Sequence, residues 1–286
     1  MFNIREKNVE VFEDTKRLCK TNNRLINAIR ESSNKQYIVM EGENFETTRE
    51  HRFKEPATVF VSKKRSLEAA SKYVGQKVCV HNFASSTNPG GGVLRGSSAQ
   101  EEAICRCSTL YFNISEPKIV DRYHNFHKQM LRKEIMDVTY NDDCIYTPGV
   151  VVFKSDVGIP EELKASNWYN VDVITCAAPN LRPDASNYMN PDSGSGKVEL
   201  TDEELKNLHI KRMRRILDIA KRENEDVVIL GAFGCGAFYN SPKVVAEAMQ
   251  VVVKEYLYDF KTIEFAVFCT EKDKKNYEVF KKVLQP

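Results

Sequence analysis

The stretch 77–102 reads Lys77-Val-Cys-Val-His81-Asn82-Phe-Ala-Ser-Ser-Thr-Asn88-Pro-Gly90-Gly91-Gly92-Val-Leu-Arg-Gly-Ser-Ser-Ala-Gln100-Glu101-Glu102. Its first seven residues form a short, largely apolar run of strand length, so a buried strand is predicted over 77–83. A loop rich in Ser, Asn, Pro and Gly follows over 84–98. A helix is predicted over 99–111. The same order recurs near the C-terminus. A strand at 227–230 runs into Gly231-Ala-Phe-Gly234-Cys235-Gly236-Ala237-Phe238-Tyr-Asn240, and Ser241-Pro242 opens a helix to about residue 258.

Working outward, strands are predicted at 58–62, 144–147, 150–154, 171–177 and 262–269. Helices are predicted at 66–74, 201–222 and 272–284. Thr201 followed by Glu204 is a capping-box pattern for the second of these. Residues 8–31 carry Val9, Phe12, Leu18, Leu25, Ile26 and Ile29 at helical spacing. Residues 42–55 are polar, 115–143 read as a partly helical insertion, and 180–200 as a polar loop. Strands alternating with helices predict an α/β fold, its sheet mixed or parallel and covered on both faces. We divide the chain into a helical N-terminal extension, 1–55, and a main α/β domain, 56–286. In such sheets ligands sit beyond the carboxyl ends of the strands, where both glycine-rich loops lie.

The 286 residues carry 42 basic and 40 acidic side chains, a net charge of +2. That excludes a global basic field, so phosphates would have to be held locally. The start of the chain lacks a signal-peptide pattern, and no apolar run reaches membrane-spanning length. An intracellular, cytoplasmic location is expected (nuclear if eukaryotic), with no membrane association. The eight cysteines contain no CxxC and read as reduced, mostly buried thiols. Cys105 and Cys107 cannot both face a metal from one helix. Neither a metal nor a cofactor is expected, and a monomer is.

The 82–102 block carries chemistry. Three successive glycines let backbone approach a ligand and turn N–H groups toward an anion. Asn82 and Asn88 can hydrogen-bond sugar hydroxyls. Acidic residues at a helix start are also favoured simply by the helix dipole. The sharper reading is that one carboxyl of Gln100-Glu101-Glu102 faces the glycines and acts on a substrate.

Gly-Gly-Gly, a short spacer and Gln-Glu-Glu resemble the signature of poly(ADP-ribose) glycohydrolases. Asn-Pro-Gly-Gly-Gly at 88–92, Ala-Gln-Glu-Glu at 99–102 and Ser-Thr-Leu-Tyr at 108–111 are similar to the bacterial-type branch. The resemblance extends over roughly the whole chain. It implies a macrodomain-like three-layer α/β/α fold and hydrolysis of ribose–ribose O-glycosidic bonds, with ADP-ribose as product. It implies Glu102 as the catalytic acid and Glu101 as a contact to the cleaved ribose. Breaking a glycosidic bond passes through an oxocarbenium-like transition state, which needs a carboxylic acid at the leaving oxygen and a carboxylate to activate water. One glutamate could do both in turn. No second, distant carboxylate is evident.

The 231–240 loop suits a diphosphate at a helix start. Its GxxGxG spacing is neither a dinucleotide fingerprint nor a Walker loop. It looks like the family's phosphate loop, which assigns Phe238 to the distal ribose. The ADP-ribose-binding set is therefore Asn88, Gly90, Gly91, Gly92, Gln100, Gly231, Gly234, Cys235, Gly236, Ala237, Phe238 and Asn240, with Asn180 on the adenosine side. Arg182 joins Asn180 there.

His124 and His127, lacking a third ligand, read as solvated surface residues. The Lys211-Arg-Met-Arg-Arg215 run reads as a solvated helix face that could steer a polyanion. Trp168 and Tyr169 read as core or rim packing. Expected partners are poly(ADP-ribose) or ADP-ribosylated protein. Two rivals remain: a hydrolase of mono-ADP-ribosylated protein or nucleic acid, and a non-catalytic ADP-ribose-binding macrodomain. Chain-end or internal cleavage is left open.

Overall fold

The computed structural model describes residues 3–43 and 50–285, so part of the polar 42–55 stretch lies outside the described residues. The N-terminal helical pattern resolves into two helices, α1 (Ile4–Thr21) and α2 (Asn23–Lys35). Asn22 makes the break: its Oδ1 accepts the N–H groups of Arg24 and Leu25 at 3.0 and 3.4 Å, so it caps α2 and stops α1. A short strand β1 (Tyr37–Val39) follows, then β2 (Thr58–Ser62), α3 (Ser66–Ala70) and β3 (Val78–Ala84).

The expected 99–111 helix is interrupted. It forms α4 (Gln100–Cys107) and α5 (Leu110–Ile114), separated by extended Ser108. Ser108 bridges to Val152, and Thr109 donates its N–H to the Val151 carbonyl at 3.0 Å, so the sheet captures backbone that the helix would have used. The 115–143 insertion holds α6 (Pro117–Ile119), a π-helical segment Val120–Asn125, and α7 (Phe126–Arg132). The two strands expected at 144–147 and 150–154 are one, β4 (Cys144–Val152), with a register shift between Thr147 and Val150. Pro148 has no N–H for the ladder, and Gly149 turns its own to Asp172 Oδ1 at 2.8 Å.

The chain continues through β5 (Tyr169–Ala177), α8 (Asp202–Arg222), β6 (Val227–Leu230), α9 (Pro242–Glu255), β7 (Thr262–Ala266) and α10 (Lys275–Leu284). The Thr201–Glu204 capping box forms, with Glu204 N–H to Thr201 Oγ1 at 3.2 Å and Thr201 N–H to Glu204 Oε2 at 2.8 Å.

Among the described residues, seven strands lie in the order β1-β4-β5-β3-β6-β7-β2. The five from β5 to β2 run parallel, while β4 pairs antiparallel with both β5 and β1. Every side chain of β6 is buried, as a strand covered on both faces requires. One face packs on Met213, Ile216 and Leu217 of α8, Val245, Met249 and Val252 of α9, and Phe280 of α10. The other packs on Leu67 of α3, Ile104 and Cys105 of α4, Leu110 and Ile114 of α5, and Phe12 of α1. This is the three-layer, macrodomain-like α/β/α arrangement with a mixed sheet, and the N-terminal helices lie against it.

Two surface readings are overturned. His124 and His127 are fully buried, because Ser86 and Asp143 take them inward. The 211–215 run is not a uniform solvated face. Arg212 is fully buried, donating to Asp142 Oδ1 at 3.1 Å and to the carbonyls of Ala177 and Thr139 at 3.0 and 2.5 Å. Lys211 pairs with Asp142 and Glu41, Met213 is in the core, and Arg214 pairs with Glu255. Trp168 packs on Phe153 with the Arg24 guanidinium over its ring. Six cysteines are buried, Cys235 and Cys269 are partly exposed, and all eight are unpaired. No helix among the described residues is long and apolar enough to cross a membrane.

Candidate active site

The carboxyl ends of β3, β5, β6 and β7 open onto a cavity of about 720 Å³. Gly91, Gly92, Gln100, Glu101 and Glu102 line one part of it, and Gly234, Gly236, Ala237 and Phe238 another. The two glycine-rich loops thus meet on one side of the sheet.

Gln100 fixes the start of α4. Its Oε1 accepts the Phe83 N–H at 2.8 Å, and its Nε2 donates to the His81 carbonyl and Ser66 Oγ at 2.7 and 3.0 Å. The next two side chains then turn back under the glycines. Glu101 is buried, and its carboxyl accepts from Ser85 N–H at 2.7 Å, Gly90 N–H at 3.2 Å and Asn82 Nδ2 at 3.4 Å. Burial first, and then the charge of Glu102, push the Glu101 carboxyl well above its ordinary range, against the pull of these donors. The pair therefore resists carrying two full negative charges.

Glu102 is also buried. Its Oε1 accepts the Gly92 N–H at 2.9 Å, while Oε2 is buried and has no hydrogen-bond partner. An orphan carboxyl oxygen lining a cavity can exchange a proton with whatever enters. Gly91 sits over the pair at φ +55°. A Cβ there would lie 2.6 Å from Glu102 Oε1 and 3.1 Å from Glu101 Oε2, so glycine is what lets backbone come so close to two carboxyls.

The second loop is held by Asn240. Its buried side-chain amide donates to the carbonyls of Pro179, Gly234 and Phe238 at 2.7, 3.1 and 3.1 Å, and its Oδ1 meets His209 Nε2 at 2.8 Å. Gly234 has φ +74°, and a Cβ would strike Ala178 and Asn240 at 2.7 Å. A Cβ on Gly236 would meet nothing within 4 Å, so this part of the loop faces open space. Phe238 lines the cavity with the Arg182 guanidinium 5.4 Å from its ring centroid.

Other residues singled out in the sequence support the cavity from behind. Asn88 spends its amide on Asn190 Oδ1 and the Pro191 carbonyl, at 2.8 and 2.6 Å, fastening the first loop to the 186–193 turn. Asn180 is fully buried, donating to Tyr140 Oη and the Ala185 carbonyl, with Arg182 Nε on its Oδ1 at 3.1 Å. Gly90 presents its N–H to Glu101, and Gly231 lies against the Ala266 carbonyl and Phe83. Cys235 turns its thiol to the Phe233 carbonyl, and burial pushes that thiol up.

Several lining residues had no mark in the sequence. Arg65, Asn187, Met189, Asn190, Phe268 and Asn276 line it too, the middle three from the polar 180–200 loop and the others from beside or within elements whose pattern marks no site. Behind the site, His127 Nδ1 lies 2.7 Å from Ser86 Oγ and its Nε2 2.8 Å from Asp143 Oδ2, all of it shut off from solvent. Only the HxxH spacing hinted at this. Among the described residues, no group of three or more metal-ligating side chains is placed to hold an ion.

Fold and cavity together define an α/β ligand-binding domain with a glutamate pair beneath one glycine loop and a second glycine loop facing it. The family model "Microbial-type PARG, catalytic domain" matches residues 5–155. The chain belongs to this family, the microbial-type poly(ADP-ribose) glycohydrolases. It is similar over at least nine-tenths of its length to solved structures. With poly(ADP-ribose) glycohydrolase of Thermomonospora curvata it shares 25% identity over 97% of this chain and 99% of that one, at a TM-score of 0.80. The same enzyme bound to the inhibitor ADP-HPD aligns at 25% identity over the same shares, at 0.76. Poly(ADP-ribose) glycohydrolase of Deinococcus radiodurans in complex with ADP-ribose aligns at 27% identity over 90% of this chain and 97% of that one, at 0.73. No curated relative matches it.

Proposed function

We propose that this chain hydrolyses the ribose–ribose O-glycosidic bonds of poly(ADP-ribose), releasing ADP-ribose, with Glu102 as acid and base. The observation that carries the assignment is the orphan Oε2 of Glu102, buried at the cavity while Oε1 is fixed by Gly92. Oε2 gives its proton to the leaving oxygen as the C–O bond breaks, and the resulting carboxylate takes a proton from the incoming water. Glu101, fixed by three donors, positions its carboxyl beside the ribose that becomes oxocarbenium-like. General acid–base help of this kind is worth on the order of 10²–10⁴-fold.

Gly91 and Gly92 border the scissile ribose. The Gly234–Phe238 side receives the diphosphate on backbone N–H groups and the distal ribose on the Phe238 ring. Asn88, Asn180, Gly90, Gly231 and Asn240 act by holding these loops in shape. Residues 1–55 serve as a mainly helical extension on a catalytic domain of 56–286, to whose sheet they add the edge strand β1. Its helix α1 packs on the first loop, where Asn8 Nδ2 donates to the Gly96 carbonyl at 3.0 Å.

The test is product analysis with purified poly(ADP-ribose) and with a mono-ADP-ribosylated protein. Release of ADP-ribose from polymer supports the reading. Release only from the mono-modified protein, or ADP-ribose binding without turnover of either, contradicts it.

A further inference from the structure

Between the cavity-lining residues Asn187 and Met189 stands an aromatic side chain that is largely open to solvent. Tyr188 is 78% exposed. The Arg95 guanidinium lies 5.2 Å from the Tyr188 ring centroid. The turn carrying Tyr188 is tightly fixed. Asn187 and Asn190 exchange backbone hydrogen bonds at 3.2 and 3.1 Å, and Asn187 Oδ1 accepts the Met189 and Asn190 N–H groups. Asn190 Oδ1 is in turn held by Ser85 Oγ and Asn88 Nδ2, both at 2.8 Å. An aromatic ring presented to water on a braced turn is built for a partner rather than for packing.

Its position says which partner. Asn187 and Met189, on either side of Tyr188, line the cavity. The Met189 carbonyl lies against Gly92, 3.1 Å from where a Cβ would stand, and Gly92 holds Glu102. Arg95 follows three residues after Gly92 on the same rim. This inference rests on the proposed reaction. The bond cleaved there joins the terminal ribose to the ribose of the next unit, which carries its own adenine and diphosphate. A unit that leaves Glu102 on the side of Gly92 passes the turn formed by residues 187–190.

We propose that Tyr188 and Arg95 form a subsite for this next ADP-ribose unit. Tyr188 stacks its adenine and Arg95 pairs with its diphosphate. Base–aromatic stacking and an Arg–phosphate contact suit a polymer ligand because neither depends on what lies further along it.

The experiment compares two substrates: purified poly(ADP-ribose), and ADP-ribose carrying a nitrophenyl leaving group at its anomeric carbon, which has no second unit. For Tyr188→Ala and Arg95→Gln, KM for polymer is expected to rise on the order of tenfold. Turnover of the nitrophenyl substrate and the Kd of ADP-ribose should stay as in wild type, and Tyr188→Phe should restore polymer KM. Equal losses on both substrates, or no change on polymer while wild type cleaves it, would overturn the subsite alone. A wild type that does not cleave polymer would overturn the proposed reaction and this inference with it.

Discussion

His127 Nε2 lies 2.8 Å from Asp143 Oδ2, with both side chains closed off from water. The other ring nitrogen meets Ser86 Oγ, next to Ser85, whose N–H holds Glu101. The imidazole therefore ties α7 and the start of β4 to the loop that fixes the glutamates. Removing Asp143 leaves His127 Nε2 buried without its partner, which typically costs about 1–3 kcal/mol. Asp143→Ala should lower the urea midpoint accordingly. His127→Gln, which can keep a hydrogen bond to Ser86, should lose less stability but still lower kcat more than it raises KM. A His127→Gln enzyme with wild-type kcat would show that the tie does not reach the carboxyls.

Gly91 is the tightest test of site geometry. Gly91→Ala puts a methyl 2.6 Å from Glu102 Oε1 at a backbone angle of +55°. The strained backbone costs about 1 kcal/mol, whereas displaced carboxyls are expected to cost roughly hundredfold in kcat. Paired thermal unfolding and rate measurements check this. Near-wild-type turnover would mean that the carboxyls need not stand where the structure puts them.

Three buried histidines set the acid side of the stability profile. Burial pushes His81 and His124 down to about 3 and His209 down to about 4. The unfolded chain takes up these protons near pH 6.5, while the folded one does not until the lowered values are reached. The stabilisation is complete above pH 6.5 and is lost as pH falls from there toward 4 for His209 and toward 3 for His81 and His124, each group adding a slope of up to about 1.4 kcal/mol per pH unit. His81 has no hydrogen-bond partner on either ring nitrogen and packs on Phe83 and Phe233. His81→Leu should flatten the loss between pH 6.5 and 5, as read from urea midpoints. An unchanged slope would contradict the assignment.

Asn240 holds three carbonyls of the second loop in one side chain. Asn240→Ala frees them and leaves His209 without its acceptor. ADP-ribose binding should weaken roughly tenfold, about 1.4 kcal/mol, by calorimetry. Unaltered affinity would mean that the loop does not need this anchor.

Much of this architecture is legible in the sequence because short-range physics decides it. The strands at 58–62 and 227–230 stand where their apolar runs are, and the Thr201–Glu204 box starts its helix. Both glycine loops are visible because few residues other than glycine suit such backbone. What eluded the reading depends on partners far away in the chain. Ser108 leaves its helix to pair with β4, more than forty residues on. His127 is buried because Asp143 and Ser86 come to it from two other segments. That Asn88, a candidate sugar contact, and Asn180, a candidate on the adenosine side, also brace their loops is not legible, since an asparagine that meets a ligand and one that holds a loop have the same sequence context. Asn187, Met189 and Asn190 reach the cavity only through the fold of the 180–200 loop, which has no periodicity to read.

The central claim is that the free oxygen of Glu102 is the acid and base. The most direct measurement is ADP-ribose release from poly(ADP-ribose) by wild type and Glu102→Gln, with ADP-ribose binding measured on both. Glu102→Gln keeps an oxygen for the Gly92 N–H but cannot give up and take back a proton. The account predicts that release falls by at least about 10²-fold while ADP-ribose still binds. A Glu102→Gln enzyme that releases ADP-ribose at close to the wild-type rate would contradict it.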